Sequence, residues 1–264
     1  MKKYLYLAKS SFQTWLAYRV GFIFTILSTI IYIFITYYLW QAIYSEPGRV
    51  LNGMTFNQTF LYLALASAVV SVLQTNIEWS IGNDIISGSI IMGLIKPVNY
   101  QILILSRSFG SMLCRLVFIS IPSLLLIIIA FDANITIGIN ILFFLITIFL
   151  SFLVNYSFEF IVGVLSFYTQ SIWGIFFTKS VIVALLSGAT IPISFFPDTF
   201  QRILTFLPFQ AIYNIPLKIL TSQTLNIGEY AEMVLVQIFW IIGLFIAGRL
   251  FYNKSLKILT VNGG

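Results

Sequence analysis

Apolar runs of about 20 residues, each closed by a short polar stretch, recur along the whole chain. They predict membrane-spanning helices near residues 20–44, 57–77, 103–129, 141–165, 172–190 and 231–251. Ahead of the first run, residues 4–18 set Tyr4, Leu5, Leu7, Phe12, Trp15 and Leu16 among Lys3, Lys9, Ser10, Ser11 and Gln13. That pattern suits an amphipathic helix lying in the inner membrane interface. The alternation fails in one place. Residues 187–220, SGATIPISFFPDTFQRILTFLPFQAIYNIPLKIL, are as apolar as a span but hold four of the seven prolines, Pro192, Pro197, Pro208 and Pro216. Each proline removes a backbone donor and ends or kinks a helix, so the pieces between them are too short to cross. Short helices dipping into one leaflet are expected over 191–220, and such backbone survives at membrane depth only where protein buries it or water reaches it. The predicted fold is an all-α integral membrane protein. One transmembrane domain covers residues 1–264, with six helices, the N-terminal interfacial helix and a re-entrant extracellular segment between spans five and six.

Composition supports this reading. Of 264 residues 59% are hydrophobic and 8% charged, far from the ~25% charged of a soluble domain. Recurrence of the runs excludes a soluble domain on a single anchor, and MKKYLYLAKSSFQTW lacks a signal-peptide core with a cleavage site, so the N-terminus is expected to be retained. The single cysteine, Cys114, lies in an apolar run. A net charge of +6 raises nucleic acid as a partner, but the basic residues stand singly at the ends of hydrophobic runs, which indicates topology and no nucleic acid. With the N-terminus inside, the inner side holds Lys2, Lys3, Lys9, Arg19, Lys96, Arg107, Lys179, Arg249, Lys254 and Lys257, and the outer side Arg49, Arg202 and Lys218. This asymmetry puts both termini in the cytoplasm of a multi-pass cell-membrane protein.

Several chemistries are missing. The chain has no histidine, which removes Ser/His and Cys/His dyads and the HExxH zinc site. Asp84, Asp132 and Asp198 fall in three separate predicted loops, so no paired-aspartate protease is indicated. The nearest approach to a phosphate-binding loop, WGIFFTKS over 173–180, has Trp173 and Thr178 where GxxxxGK[ST] needs glycines. Catalytic residues, a metal site and a bound cofactor are therefore not expected, and any nucleotide hydrolysis must come from another chain. Two charges lie deep within predicted spans, Arg115 and Glu159. Ser151, Asn155, Glu159 and Gly163 form one stripe at four-residue steps, and Ser108, Ser111 and Arg115 form another; both should face protein. Arg115 and Glu159 either meet in the inner leaflet and fix helix packing, with Arg115 reaching to the interface, or line a substrate path with Asn155. Small residues four apart, Ala64 with Ala68, Ser67 with Ser71 and Ala184 with Gly188, permit close helix contacts.

The longest cytoplasmic connection, NDIISGSIIMGLIKPVNY over 83–100, mixes Ile85, Ile86, Ile90, Ile91, Leu94 and Ile95 with glycines. It predicts a short amphipathic helix bounded by Gly88 and Pro97, covered by a cytoplasmic partner or by lipid headgroups.

These features together resemble an ABC-2 type permease, the membrane subunit of a type-2 ABC exporter, over essentially the whole chain. The first cytoplasmic loop, ISGSIIMGLIKPVN over 86–99, is similar to the G-x-[IL]-x-x-x-L-[LIK]-[RK]-P loop of one branch of these permeases. SGATIPISFFPDTFQRILTFLPF is similar to the family's SG-x-x-x-P-x-x-x-[FL]-P…[LI]-P-F run between spans five and six, and the terminal VNGG carries a Gly-Gly frequent in the same branch. The resemblance implies a dimer of permeases, in this branch more often a heterodimer with a second permease subunit than a homodimer. It implies two copies of a cytoplasmic ABC ATPase that use ATP and Mg. By the same likeness the coupling contact falls on Ile85, Ile86, Gly88, Leu94, Ile95, Lys96 and Pro97. The broken segment corresponds to re-entrant extracellular helices forming an exit gate, with Pro192, Phe195, Phe196, Pro197, Pro208 and Phe209 as its residues and the three phenylalanines as its hydrophobic plug. The implied function is ATP-driven export of an apolar or amphipathic molecule: a drug, a peptide or a lipid-linked compound. Two other functions compete with it. An ion-coupled secondary carrier would show inverted repeats and matched discontinuous helices, and an immunity or structural membrane protein would bind a partner and transport nothing.

Overall fold

The computed structural model of the chain describes residues 2–46, 48–131, 138–169, 172–222 and 225–258. Asp132 and the terminal VNGG lie outside them. The described residues are almost entirely helical. Helix α1 (Lys2–Ala17) is followed by α2 (Arg19–Tyr44), then by a two-residue hairpin of β1 (Val50–Leu51) and β2 (Met54–Thr55) with Val50 opposite Thr55. The Thr55 hydroxyl and the Gln58 side chain form a reciprocal capping box that starts α3 (Phe56–Leu73). After a three-residue break come α4 (Ile77–Ile86) and the short α5 (Ile90–Leu94). Asn99 caps α6 (Tyr100–Arg115) by accepting from the N–H groups of Gln101 and Ile102. The helix widens into a π turn at Leu116–Ser120 and continues as α7 (Ile121–Ala130). Pro122, near the start of α7, lacks the N–H that a regular turn would send back to Phe118, which accounts for the wide turn just before it.

Helix α8 (Ile139–Val164) ends in a 3₁₀ turn at Leu165–Phe167, and α9 (Ile172–Leu186) follows. The proline-rich stretch folds as a 3₁₀ turn Ile193–Phe195, α10 (Asp198–Thr205), a second 3₁₀ turn Pro208–Ala211 and α11 (Asn214–Thr221). A capping box of Asn226 and Glu229 then opens α12 (Ile227–Ser255). Among the described residues five helical stretches are long and apolar enough to cross a membrane: Val20–Tyr44, Phe56–Ile86, Tyr100–Ala130, Ile139–Phe167 and Ile227–Ile258. They coincide with predicted spans one to four and six. The fifth, expected over 172–190, is a helix of only 15 residues, about 22 Å at 1.5 Å per residue against a hydrocarbon core of roughly 30 Å.

Helix α3 is the central post. Some 67% of its apolar window is buried, against 17% for α2 and 11% for α12, whose outer faces are left to lipid or a partner. Ala64 and Ala68, one of the small-residue pairs, sit fully inside the core. The expected amphipathic N-terminal helix is present and docks along α6. Lys3 Nζ donates to the Pro97 carbonyl at 2.8 Å at one end, and the Arg115 guanidinium stands 4.4 Å over the Trp15 ring at the other. Between them Gly110 admits the α1 backbone so closely that a Cβ there would lie 2.0 Å from the Ala8 carbonyl oxygen.

Candidate functional site

The second span is two helices, and the break between them organises the most polar part of the interior. Gln74, Thr75 and Asn76 hold neither glycine nor proline, but Asn76 takes a left-handed conformation with φ 50°, which asparagine tolerates better than most residues. In an unbroken helix the Ile77 N–H would bond to the Leu73 carbonyl. Here both groups are satisfied by α8: Asn155 Nδ2 donates to Leu73 O at 2.8 Å, and Glu159 Oε2 accepts from Ile77 N at 3.1 Å and from Thr75 Oγ1 at 2.8 Å. The carboxylate thus caps the positive end of α4, where an anion is favoured.

Lys179 of α9 completes the cluster. Its Nζ lies 2.8 Å from Glu159 Oε1 and 2.8 Å from Glu78 Oε1, with side-chain exposures of 10% for the lysine and 2% for each glutamate. Asn155 Nδ2 also donates to Glu159 Oε1 at 3.1 Å, so each Glu159 oxygen accepts from two donors, whereas Glu78 Oε2 is buried with no partner among the described residues. Gly163, one turn beyond Glu159, makes the approach possible: a Cβ there would meet the Ile81 Cβ at 2.9 Å and the Glu78 Cα at 3.1 Å. The Ser151–Asn155–Glu159–Gly163 stripe therefore faces protein throughout, as its spacing predicts. Its upper end grips the proline-rich segment, Ser151 Oγ donating to the Ala211 carbonyl at 3.1 Å beside Gln237 Nε2 of α12 at 2.9 Å.

The Arg115–Glu159 pairing that their depth suggests is not what forms. Glu159 takes Lys179 as its ion-pair partner, and Arg115 stacks on Trp15 with its Nε buried and without a hydrogen-bond partner among the described residues. Ser108 and Ser111, the rest of that stripe, are buried but turn their hydroxyls to their own helix, onto the Ile104 and Ser108 carbonyls. Lys179, counted above with the inner-side loop charges, is a buried member of α9. Glu78 and Lys179 were missed because 101 residues separate them and each sits near the margin of an apolar run. The available signal was Lys179 itself, seven residues inside a predicted span, where a charge demands a partner.

A cavity of about 230 Å³ opens beside the cluster, walled by Glu159, Lys179, Asn155, Gln74, Asn76 and Tyr213 among others. Gln74, Val70, Ala189 and Thr190 also border a neighbouring groove of about 330 Å³ that runs along the hydroxyls of α2.

Beyond α4, the short helix expected between Gly88 and Pro97 is α5. Gly88 reverses the chain at φ 72°, Ile90 is fully buried, and Asp84 accepts from the Tyr100 and Ser89 hydroxyls at 3.1 Å each. Asp84 is thus a helix residue fixing the loop's base. Ile85 is half-buried, while Ile86, Leu94, Ile95 and Lys96 are exposed, Ile95 at 73%. The Pro97 ring is exposed, but its carbonyl is taken by Lys3.

The proline-rich segment is anchored from several sides, with the Tyr62 hydroxyl donating to the Gly188 carbonyl at 3.0 Å. Pro192 and Pro208 are buried, and Pro197 is exposed at the start of α10. The three phenylalanines do not gather into one cluster. Phe195 packs edge-on to Trp40 of α2 at 5.2 Å, Phe196 stacks on Phe200 at 5.8 Å, and Phe209 meets Phe158 of α8 edge-on at 5.3 Å.

The family model describing an ABC-2 family transporter protein matches residues 6–263, nearly the full length. The chain belongs to the ABC-2 transporter family. No curated protein matches it. ABC-2 permeases are membrane transport components that typically work with an ATPase partner. The WGIFFTKS stretch of this chain lies wholly within α9, with its lysine in an ion pair. In this ABC-2 permease the long apolar helices, the exposed α4–α5 loop and the anchored proline-rich segment come in the order the resemblance implies.

Proposed function

We propose that this ABC-2 permease is the membrane half of an ATP-driven exporter, moving an apolar or amphipathic molecule (a drug, a peptide or a lipid-linked compound) outward across the cell membrane with both termini cytoplasmic. The observation that carries the reading is the α4–α5 loop. It is rigid at its base, through Ile90, Asp84 and Tyr100, and apolar at its tip, through Ile86, Leu94 and Ile95, with Met92 beside them at 66% exposure. A soluble ATPase that uses ATP and Mg would dock there, one copy per permease, and its closure would push on α4. Because α4 is joined to α3 through the Asn155–Glu159 bridge, the push reaches the centre of the molecule at the cavity. The 187–221 segment is the proposed re-entrant exit gate. Phe195 and Phe209 act by bracing it on α2 and α8, in place of a single plug of three phenylalanines. The exposed faces of α2 and α12 leave room for a second permease, and we favour an unlike subunit.

A second reading draws on one specific observation: a discontinuous span with buried carboxylates is also how ion-coupled carriers bind their driving ions. The two are separated by changing Leu94 and Lys96 together to alanine. The ATP-driven reading expects the copurifying ATPase to be lost and transport with it. Transport that survives the change and follows an imposed proton or sodium gradient would favour the carrier.

A further inference from the structure

Arg115 is a deep cation that no carboxylate of the described chain neutralises. Among the described residues the ion pairs are those of Lys179 with Glu78 and Glu159, and both Glu159 oxygens are filled by Lys179, Asn155, Thr75 and Ile77. Asp84 is held by the Tyr100 and Ser89 hydroxyls. Glu46 follows the end of α2, Asp198 opens α10, and Glu229 and Glu232 lie at the start of α12, all on the outer side of the proposed topology. Arg115 instead stands 4.4 Å over the Trp15 ring, with its Nε enclosed and without a partner. The side chain as a whole is only half-buried, and no hydrogen bond among the described residues takes up its terminal nitrogens. A guanidinium carries five N–H donors and cannot shed its charge, so an anion from outside the chain is favoured here.

Its position decides which anion. Outward from Arg115 run the 5 residues of the π turn and the 10 of α7, about 22 Å at 1.5 Å per residue against a hydrocarbon core of roughly 30 Å. Arg115 therefore stands a short way inside the inner boundary of that core, close enough for an arginine to reach the headgroups. Trp15 and Tyr18 beside it are the aromatic types that mark such boundaries, and the apolar run of α2 starts just after them at Val20. The platform is fixed by packing: α1 presses its backbone onto Gly110, and Phe118, one turn beyond Arg115, stacks on Phe22 of α2 at 5.7 Å. The exposed residues outward of it are apolar, Val117, Ile121 and Leu125 on its own helix and Val20 and Ile23 on α2. Inward, the same packed helices expose Lys9 of α1 and Arg107 of α6. A soluble anion would leave the apolar strip uncovered, and a zwitterionic lipid brings a cation of its own toward Lys9 and Arg107. An anionic phospholipid matches both parts, acyl chains to the strip and phosphate to the guanidinium.

We infer that Arg115, on its Trp15 platform, binds the phosphate of an anionic phospholipid whose acyl chains lie along the exposed face of α7. The leaflet, the inner one, follows from the orientation proposed above. The chemistry of the site depends neither on that orientation nor on the exporter reading.

The test uses the full-length permease, washed free of lipid in a neutral detergent and offered equal amounts of dioleoylphosphatidylglycerol and dioleoylphosphatidylcholine, with bound lipid read by native mass spectrometry. The unmodified protein should hold one phosphatidylglycerol at least tenfold more tightly than phosphatidylcholine, and a large excess of inorganic phosphate should not displace it. Arg115→Gln should weaken phosphatidylglycerol at least tenfold. The double change Lys254→Gln, Lys257→Gln removes two exposed cations at the inner end of the chain's last helix and should leave binding within twofold. Equal affinity for the two lipids overturns the proposal, as does Arg115→Gln binding within twofold of the unmodified protein. An equal loss in the double lysine variant overturns it as well, because the attraction would then be one of overall charge. Displacement by inorganic phosphate does the same, because the site would then serve a free anion. The lipid preference, the phosphate competition and the double lysine variant are all read on protein that keeps Arg115, so the proposal stays open to refutation even where Arg115→Gln does not fold.

Discussion

At the scale of single residues, Lys179 does the most for the interior. Removing one member of a buried ion pair leaves the other charge uncompensated, so Lys179→Ala should lower stability by about 3–5 kcal/mol, read as an early melt in detergent. The triple change Lys179→Met, Glu78→Gln, Glu159→Gln removes all three charges and should melt near wild type while losing transport. If the triple variant melts as early as Lys179→Ala, the cluster's cost is one of shape and not of charge. The sequence reading found Glu159 and the face of its stripe, because a four-residue period fixes which side of a helix is polar. Depth alone leaves Arg115 and Glu159 either to pair or to line a path. What the sequence could not contain is that Trp15, 100 residues earlier, takes the guanidinium, or that a left-handed Asn76 opens a backbone gap needing a carboxylate. Those depend on which helices touch.

At the scale of elements, the helical stretches were legible wherever 20 apolar residues ran together, and the proline-rich stretch was legible as broken because proline acts locally. The break in span two was not, since Gln74, Thr75 and Asn76 carry no local breaker and the gap persists through Asn155 and Glu159. Helix α5 was legible from Gly88 and Pro97, but the division of its isoleucines into a buried Ile90 and an exposed Ile95 was not. That division makes Ile95→Glu a clean probe of the coupling surface. The melt should move by no more than ~0.5 kcal/mol, as for other surface changes, while copurification of the ATPase falls at least tenfold. An unchanged ATPase yield would remove the loop from the interface. The α1–α6 contact has its own test. Gly110→Leu cannot be accommodated against the Ala8 carbonyl, so α1 should detach and become cleavable by protease at Lys9, whereas Ser106→Leu, on the same helix but only half-buried, should leave it protected.

At the scale of the molecule, α3 is one of five long apolar helical stretches among the described residues and packs against α2, α6, α7, α8 and α11, while the exposed sides of α2 and α12 are left to lipid or to the second permease proposed above. The orientation proposed from the basic residues survives the transfer of Lys179 from loop to interior, since the remaining inner-side charges still outnumber the three outer ones. Tags at both ends should accordingly be digested in inverted vesicles and protected in right-side-out ones; protection of either in the inverted preparation would reverse or divide the topology. Power supplied from outside this chain is the central claim. The most direct measurement is cargo movement in proteoliposomes holding the permease with its copurified ATPase, with ATP hydrolysis blocked in one arm and ion gradients collapsed in the other. The account predicts that movement stops in the first arm and continues in the second. Movement that continues with hydrolysis blocked and stops when the gradients are collapsed would contradict it.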